Sequence, residues 1–152
     1  MTMKSSRNTS FGTQIDICVR SDSLELEHLS HFLDIKPTSG FEKGESYVGR
    51  QKCGLDIVQV ERSAPTGVWH FCTDALLESS NVQDHAKFLL DTLRPAKAAF
   101  QQLMADPEYN VKITIWVSGY SCELTTAYLS ELCSYAEEIS ISCWYDNEED
   151  PE

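Results

Sequence analysis

Two stretches of alternating apolar and polar residues enclose a helical pattern in the C-terminal third of the chain. Aliphatics occupy every second position of Val111-Lys112-Ile113-Thr114-Ile115-Trp116-Val117, and Ile139-Ser140-Ile141-Ser142-Cys143-Trp144-Tyr145 repeats the scheme. Between them, Leu129, Leu132, Cys133 and Ala136 recur at helical spacing within Thr125 to Ala136. This predicts two parallel strands joined by a helical crossover, with the aliphatic face beneath the helix. The opposite face then carries Lys112, Thr114 and Trp116 from one strand and Ser140, Ser142 and Trp144 from the other.

The rest of the chain supplies the remaining elements. Ile15, Ile17 and Val19 alternate with Asp16, Cys18 and Arg20, which predicts a half-buried strand over Phe11 to Arg20. Asp22 and Glu25 have capping-box spacing ahead of Leu26, Leu29, Phe32 and Leu33, so a helix is expected from Ser23 to Leu33 and ends before Pro37. Residues 35–52 are rich in turn formers and read as one long loop, either functional or packed over a sheet edge. Leu55, Ile57 and Val60 mark a second strand, and Trp69 and Phe71 a third. Ser63 to Gly67 is read as the hairpin turn between them. A helical pattern from Asn81 to Met104 is interrupted at Pro95, and Thr125 or Thr126 caps the last helix. The expected fold is α+β. Its first six elements have the ferredoxin-like βαββαβ order, extended by a further helix and strand, with helices mainly on one face of a mixed sheet. Residues 1–10 read as a polar arm, 11–146 as a single domain and 147–152 as an acidic tail.

Charge changes the picture more than composition does. A hydrophobic share of 41% in 152 residues is ordinary for one globular domain, but 12 basic against 24 acidic side chains give a net charge of -12. Such a field repels phosphate backbones and anionic lipid and speeds encounter with basic partners, so neither nucleic acid nor membrane is an expected ligand. Five acids crowd the seven residues from Asp146 to Glu152. A solvated tail and a docking segment both fit them.

The candidate chemistry is sparse. The six cysteines form no CxxC pair and no repeated spacing, which fits reduced thiols in a cytoplasmic protein. Cys53 follows Arg50 and Lys52, whose charge favours a thiolate, but a nucleophile also needs a base and an oxyanion site. His28 and His31 share a helix face without a third ligand, and His70 and His85 have no partner visible in the sequence. Phosphate-binding glycine loops, EF-hand spacing and the Gly-x-Ser-x-Gly elbow are all missing from the sequence. No cofactor or metal is expected.

The layout resembles a bacterial family known only as the domain of unknown function numbered 4279. The similar features are a first strand and helix leading into Leu33-Asp34-Ile35-Lys36-Pro37-Thr38, then Lys43-Gly44, then Gly67-Val68-Trp69 opening a strand. After the long helix, a strand and a helix-loop from Leu129 to Ile139 lead to a final strand ending in Tyr145-Asp146. The resemblance implies the same order of elements and brings no catalytic residues with it. Small acidic domains of this kind resemble immunity proteins, which cover the active site of a cognate toxin.

The sequence therefore leads to a non-catalytic module binding a basic protein, in the manner of an immunity protein. Trp116, Trp144, Tyr145, Asp146, Glu148 and Glu149 are its candidate contact residues, unless the two tryptophans are covered by the long loop or a terminal arm. The alternative is a small-ligand-binding or regulatory domain. It would use the loop residues Pro37, Thr38, Phe41, Lys43 and Gly44 and an aromatic sheet-face pocket with Trp69.

Overall fold

The computed structural model describes residues 12–119 and 122–144, with the backbone alone at Trp144. Strand β1 (Gln14–Ser21) is central in a five-stranded mixed sheet. It pairs antiparallel with β5 (Gly67–Cys72) on one side and β6 (Asn110–Ser118) on the other. The short β2 (Ser39–Phe41) lies antiparallel outside β5, and β7 (Glu138–Trp144) lies parallel outside β6. The C-terminal pair is parallel, as expected, with Ile113 opposite Ile139 and Ile115 opposite Ile141.

Alternation along these strands puts Ile15, Ile17, Val19, Trp69, Phe71, Val111, Ile113 and Ile115 on one face, and all are buried. Helices α1 (Leu26–Leu33), α2 (Val82–Leu93), α3 (Lys97–Ala105) and α4 (Thr126–Cys133) contribute Leu29, Leu33, Leu89, Leu90, Leu93, Phe100 and Leu132 to the same core. Each aliphatic removed from water in this way contributes on the order of 1.5–3 kcal/mol. Pro95 lies in a 3-10 turn, Arg94–Ala96, that separates α2 from α3, so the interrupted helical pattern is two abutting helices. Among the described residues no helix is long and apolar enough to cross a membrane.

Several expectations need correction. Asp56–Ser63 is a strand, β4, but it pairs with β3 (Ser46–Cys53) in a separate two-stranded sheet, not with the Trp69 strand. The two-residue turn Gly54-Leu55, with Gly54 at φ 64, closes that pairing locally and leaves Leu55 at its tip, 101% exposed. Ser63 to Gly67 is therefore the return from this arm into β5. The strand that pairs with β5 is β2, whose three residues Ser39, Gly40 and Phe41 are too few to show a period.

At the start of α1, Asp22 is not a cap. Its carboxylate accepts from Lys43 Nζ at 3.1 Å, and Glu25 precedes the helix without a side-chain cap bond. Asn81 and Thr125 do cap, accepting from the amides of Gln83 and Tyr128. Helix α4 packs on α2, and Arg94 grips Glu131 through Nε and Nη2 at 2.7 and 3.0 Å. It leaves Cys133 exposed and Ile141 of the edge strand 58% exposed, where full cover was expected.

A buried polar chain ties the sheet to α2. His85 Nε2 lies 2.8 Å from the Ser79 carbonyl, which can only accept, so Nε2 carries the proton. Nδ1 then accepts from the Thr73 hydroxyl at 2.7 Å, and that oxygen accepts from the Ile15 amide at 3.0 Å. Thr73→Val removes both bonds at a site with no exposure. The expected loss is about 1–3 kcal/mol, read from the urea midpoint at unchanged m-value.

Gly67 marks a close approach in the sheet. A Cβ there would stand 2.7 Å from the Ser21 carbonyl oxygen and 2.8 Å from Leu24 Cβ. Gly67→Ala should cost about 1–3 kcal/mol by the same measurement. Gly12→Ala, which meets nothing within 4 Å, should leave the midpoint in place.

Candidate functional site

The sheet face away from the helices is built by the residues that alternate with the core. Pairing brings Ser39 opposite His70, His70 opposite Cys18, and Asp16 opposite Thr114. Across these strands runs a row of polar contacts. Trp116 Nε1 donates to Asp16 Oδ2 at 2.9 Å, His70 Nε2 lies 3.4 Å from the same oxygen, and Ser39 Oγ lies 3.1 Å from His70 Nδ1. Asp16 is only 8% exposed, and its carboxylate is met there by an indole N–H and an imidazole. Its carboxylate fixes the plane of Trp116, which is partly buried.

The order serine, histidine, aspartate invites comparison with a nucleophile triad. The 3.4 Å contact is longer than a well-formed hydrogen bond, and Ser39 sits on a three-residue edge strand. The row is better understood as positioning the aromatic side chain. His70 was singled out in the sequence without a partner, because Asp16 and Ser39 are distant along the chain and only strand pairing joins them.

Two thiols border the row. Burial pushes the Cys72 thiol up from 9.0 to about 12, and the Asp74 carboxylate that accepts from it at 3.3 Å adds to the rise. Burial likewise raises Cys18, against the opposing influence of Arg20. Cys53 lies at the arm tip opposite Asp56. Strand alternation sends Arg50 and Lys52 to the other face of the ribbon, so the electropositive setting expected for this cysteine is not formed.

A second feature lies on the helix side of the sheet. After Asp34 closes α1 in the left-handed region at φ 53, the chain runs through Ile35 and Pro37 to Thr38. The Thr38 amide and hydroxyl both donate to the His70 carbonyl, and Thr38 Oγ1 accepts from the Cys72 amide. Ile35, Pro37, Phe71, Leu76 and Phe88 then line an open cleft of about 600 Å³, with Lys36 and Asp34 at its rim.

The expected loop residues separate accordingly. Pro37 and Thr38 line the cleft, whereas Phe41 stacks on Tyr47 of the arm at 6.1 Å. Lys43 pairs with Asp22, and Gly44 turns the chain at φ 89. Trp69 is not in a sheet-face pocket. It alternates in phase with Val19 and is fully buried on the helix side, with Nε1 donating to Ser30 Oγ at 3.2 Å. Of the expected contact residues, Trp116 is on the open face, and β7 ends at Trp144 beside Ser118. Tyr145, Asp146, Glu148 and Glu149 lie outside the described residues. His28 and His31 are exposed on α1, and among the described residues no group of three potential ligands could hold a metal ion.

The sequence model of the family described as Domain of unknown function (DUF4279) matches residues 12–149, and the chain belongs to that family. No curated protein and no solved structure matched the chain.

The two raised thiols have a measurable consequence. At pH 8, iodoacetamide should modify exposed Cys53 and spare Cys72 and Cys18 in the native protein, as peptide mass mapping would show. A thiol raised on folding stabilises the native state fully below its ordinary value and loses that contribution as pH rises through the folded one. For Cys72 the loss falls between 9.0 and about 12, and Cys72→Ala should flatten the decline in stability across that window.

Proposed function

We propose that the chain is a non-catalytic protein-binding module that neutralises a basic toxin by covering its surface, as a bacterial immunity protein does in the cytoplasm. The observation that carries this reading is Trp116, held by Asp16 on a sheet face that carries no helix among the described residues. An aromatic side chain fixed before binding loses little entropy on contact and concentrates binding energy once desolvated. The net charge of -12 favours encounter of the chain with a basic partner over an acidic one. The finer fold reading goes with it: a ferredoxin-like unit with the β3–β4 arm inserted and β7 added. What supports that reading is the order β2-β5-β1-β6, with antiparallel pairing at every junction.

The cleft beside Pro37 supports a second reading, a small-ligand or regulatory domain. Its apolar walls and volume of about 600 Å³ suit a small organic molecule.

Binding to the purified products of adjacent genes tests the first reading. A basic product should bind and should be less toxic when co-expressed. Thr114→Arg with Ser140→Arg, opposite one another on the open face, should weaken binding on the order of tenfold or more while the circular dichroism is unchanged. Adjacent products that bind no better than unrelated proteins, with normal growth on deletion of the gene, would overturn it.

A further inference from the structure

The β3–β4 arm has no evident role in the domain that bears it. Every arm position except Gly49 and Val60 is exposed. Of the eight large hydrophobics exposed among the described residues, five lie here: Tyr47, Val48, Leu55, Ile57 and Val58. A lone two-stranded ribbon is marginal in water, and both its outer edges carry unpaired backbone groups. Hydrogen bonds from Gly44 N to Ala64 O and from Ala64 N to Glu45 O continue the pairing of its two strands down to the base of the arm.

The two edges differ in charge. Strand β3 carries Arg50 and Lys52 and no acid, so two copies of it side by side would repel. Strand β4, Asp-Ile-Val-Gln-Val-Glu-Arg-Ser, is self-complementary about Gln59. Set antiparallel to a second copy of itself with Gln59 opposite Gln59, it places Asp56 opposite Arg62, Val58 opposite Val60 and Ile57 opposite Glu61. Both ends then gain an opposite-charge pair, and the valines meet on the same face as those charges.

Backbone geometry is compatible with this register. The two-residue turn makes Cys53 and Asp56 a hydrogen-bonded pair, so the amides and carbonyls of Ile57, Gln59 and Glu61 turn to the outer edge. Pairing about Gln59 joins these outward groups to one another across the two-fold axis. Moving the axis by one residue puts Val58 against Arg62 in one direction and Asp56 against Val60 in the other, and either shift loses both charge pairs.

We propose that two copies of this chain associate through the outer edge of β4, joining their arms into one four-stranded antiparallel sheet with a two-fold axis at Gln59. The contact is isologous. It does not depend on the toxin-binding reading.

Sedimentation equilibrium of the full chain tests the proposal. The wild type should have twice the 17.2 kDa chain mass. Gln59→Pro removes an outward amide without touching the β3 ladder and should give a monomer whose near-ultraviolet circular dichroism matches the wild type's. Arg62→Asp alone and Asp56→Arg alone should each weaken the dimer on the order of tenfold or more, and the double exchange should restore it. A wild type that stays monomeric at its solubility limit would overturn the proposal. Single variants as dimeric as the wild type, or a double exchange that restores nothing, would do the same.

Discussion

The strict alternation of β1 is the constraint on which the rest of the molecule depends. Because this strand pairs on both edges, its backbone is fully committed, and its side chains must serve two faces. Ile15, Ile17 and Val19 meet the helices with no exposure, and Asp16, Cys18 and Arg20 take the other side. A slip of one residue would put Asp16 into the core and the aliphatics on the open face. The row that orients Trp116 is thus a consequence of the same phase that builds the core.

Much of this was legible in the sequence where a period persisted. The alternation of β1, β6 and β7, the break at Pro95 and the caps Asn81 and Thr125 all follow from local rules that tertiary packing did not override. The arm was not legible as an arm. Val58 and Val60 form a plausible strand, but which strand they join depends on the Gly54-Leu55 turn, and the preceding residues from Ser46 to Cys53 mix glycine, charge and glutamine without a clear period. Strand β2 was hidden for a different reason: its place is set by Thr38 and Ser39 gripping β5, an interaction with a partner thirty-odd positions later.

The candidate site was legible only in part. Trp116 could be assigned to the face opposite the aliphatics from phase alone, and it lies there. Trp69 was misplaced as a pocket residue, since a lone aromatic strand residue reveals its face only when its neighbours' register is known. The association of Asp16, His70 and Ser39 has no signature in the sequence, because each comes from a different strand.

The order of strands in the sheet also bears on how the chain reaches this state. Asp16 and Trp116 are separated by 100 positions, and β1, although made first, gains its partner β6 only near the end of the chain. Closing so long a loop is an entropic barrier that no local contact relieves. The arm, by contrast, closes across two residues and can form while synthesis continues. A chain emerging from the ribosome would therefore hold a central strand still lacking half of its sheet. For that interval its surroundings, and not its own fold, must keep β1 from pairing elsewhere.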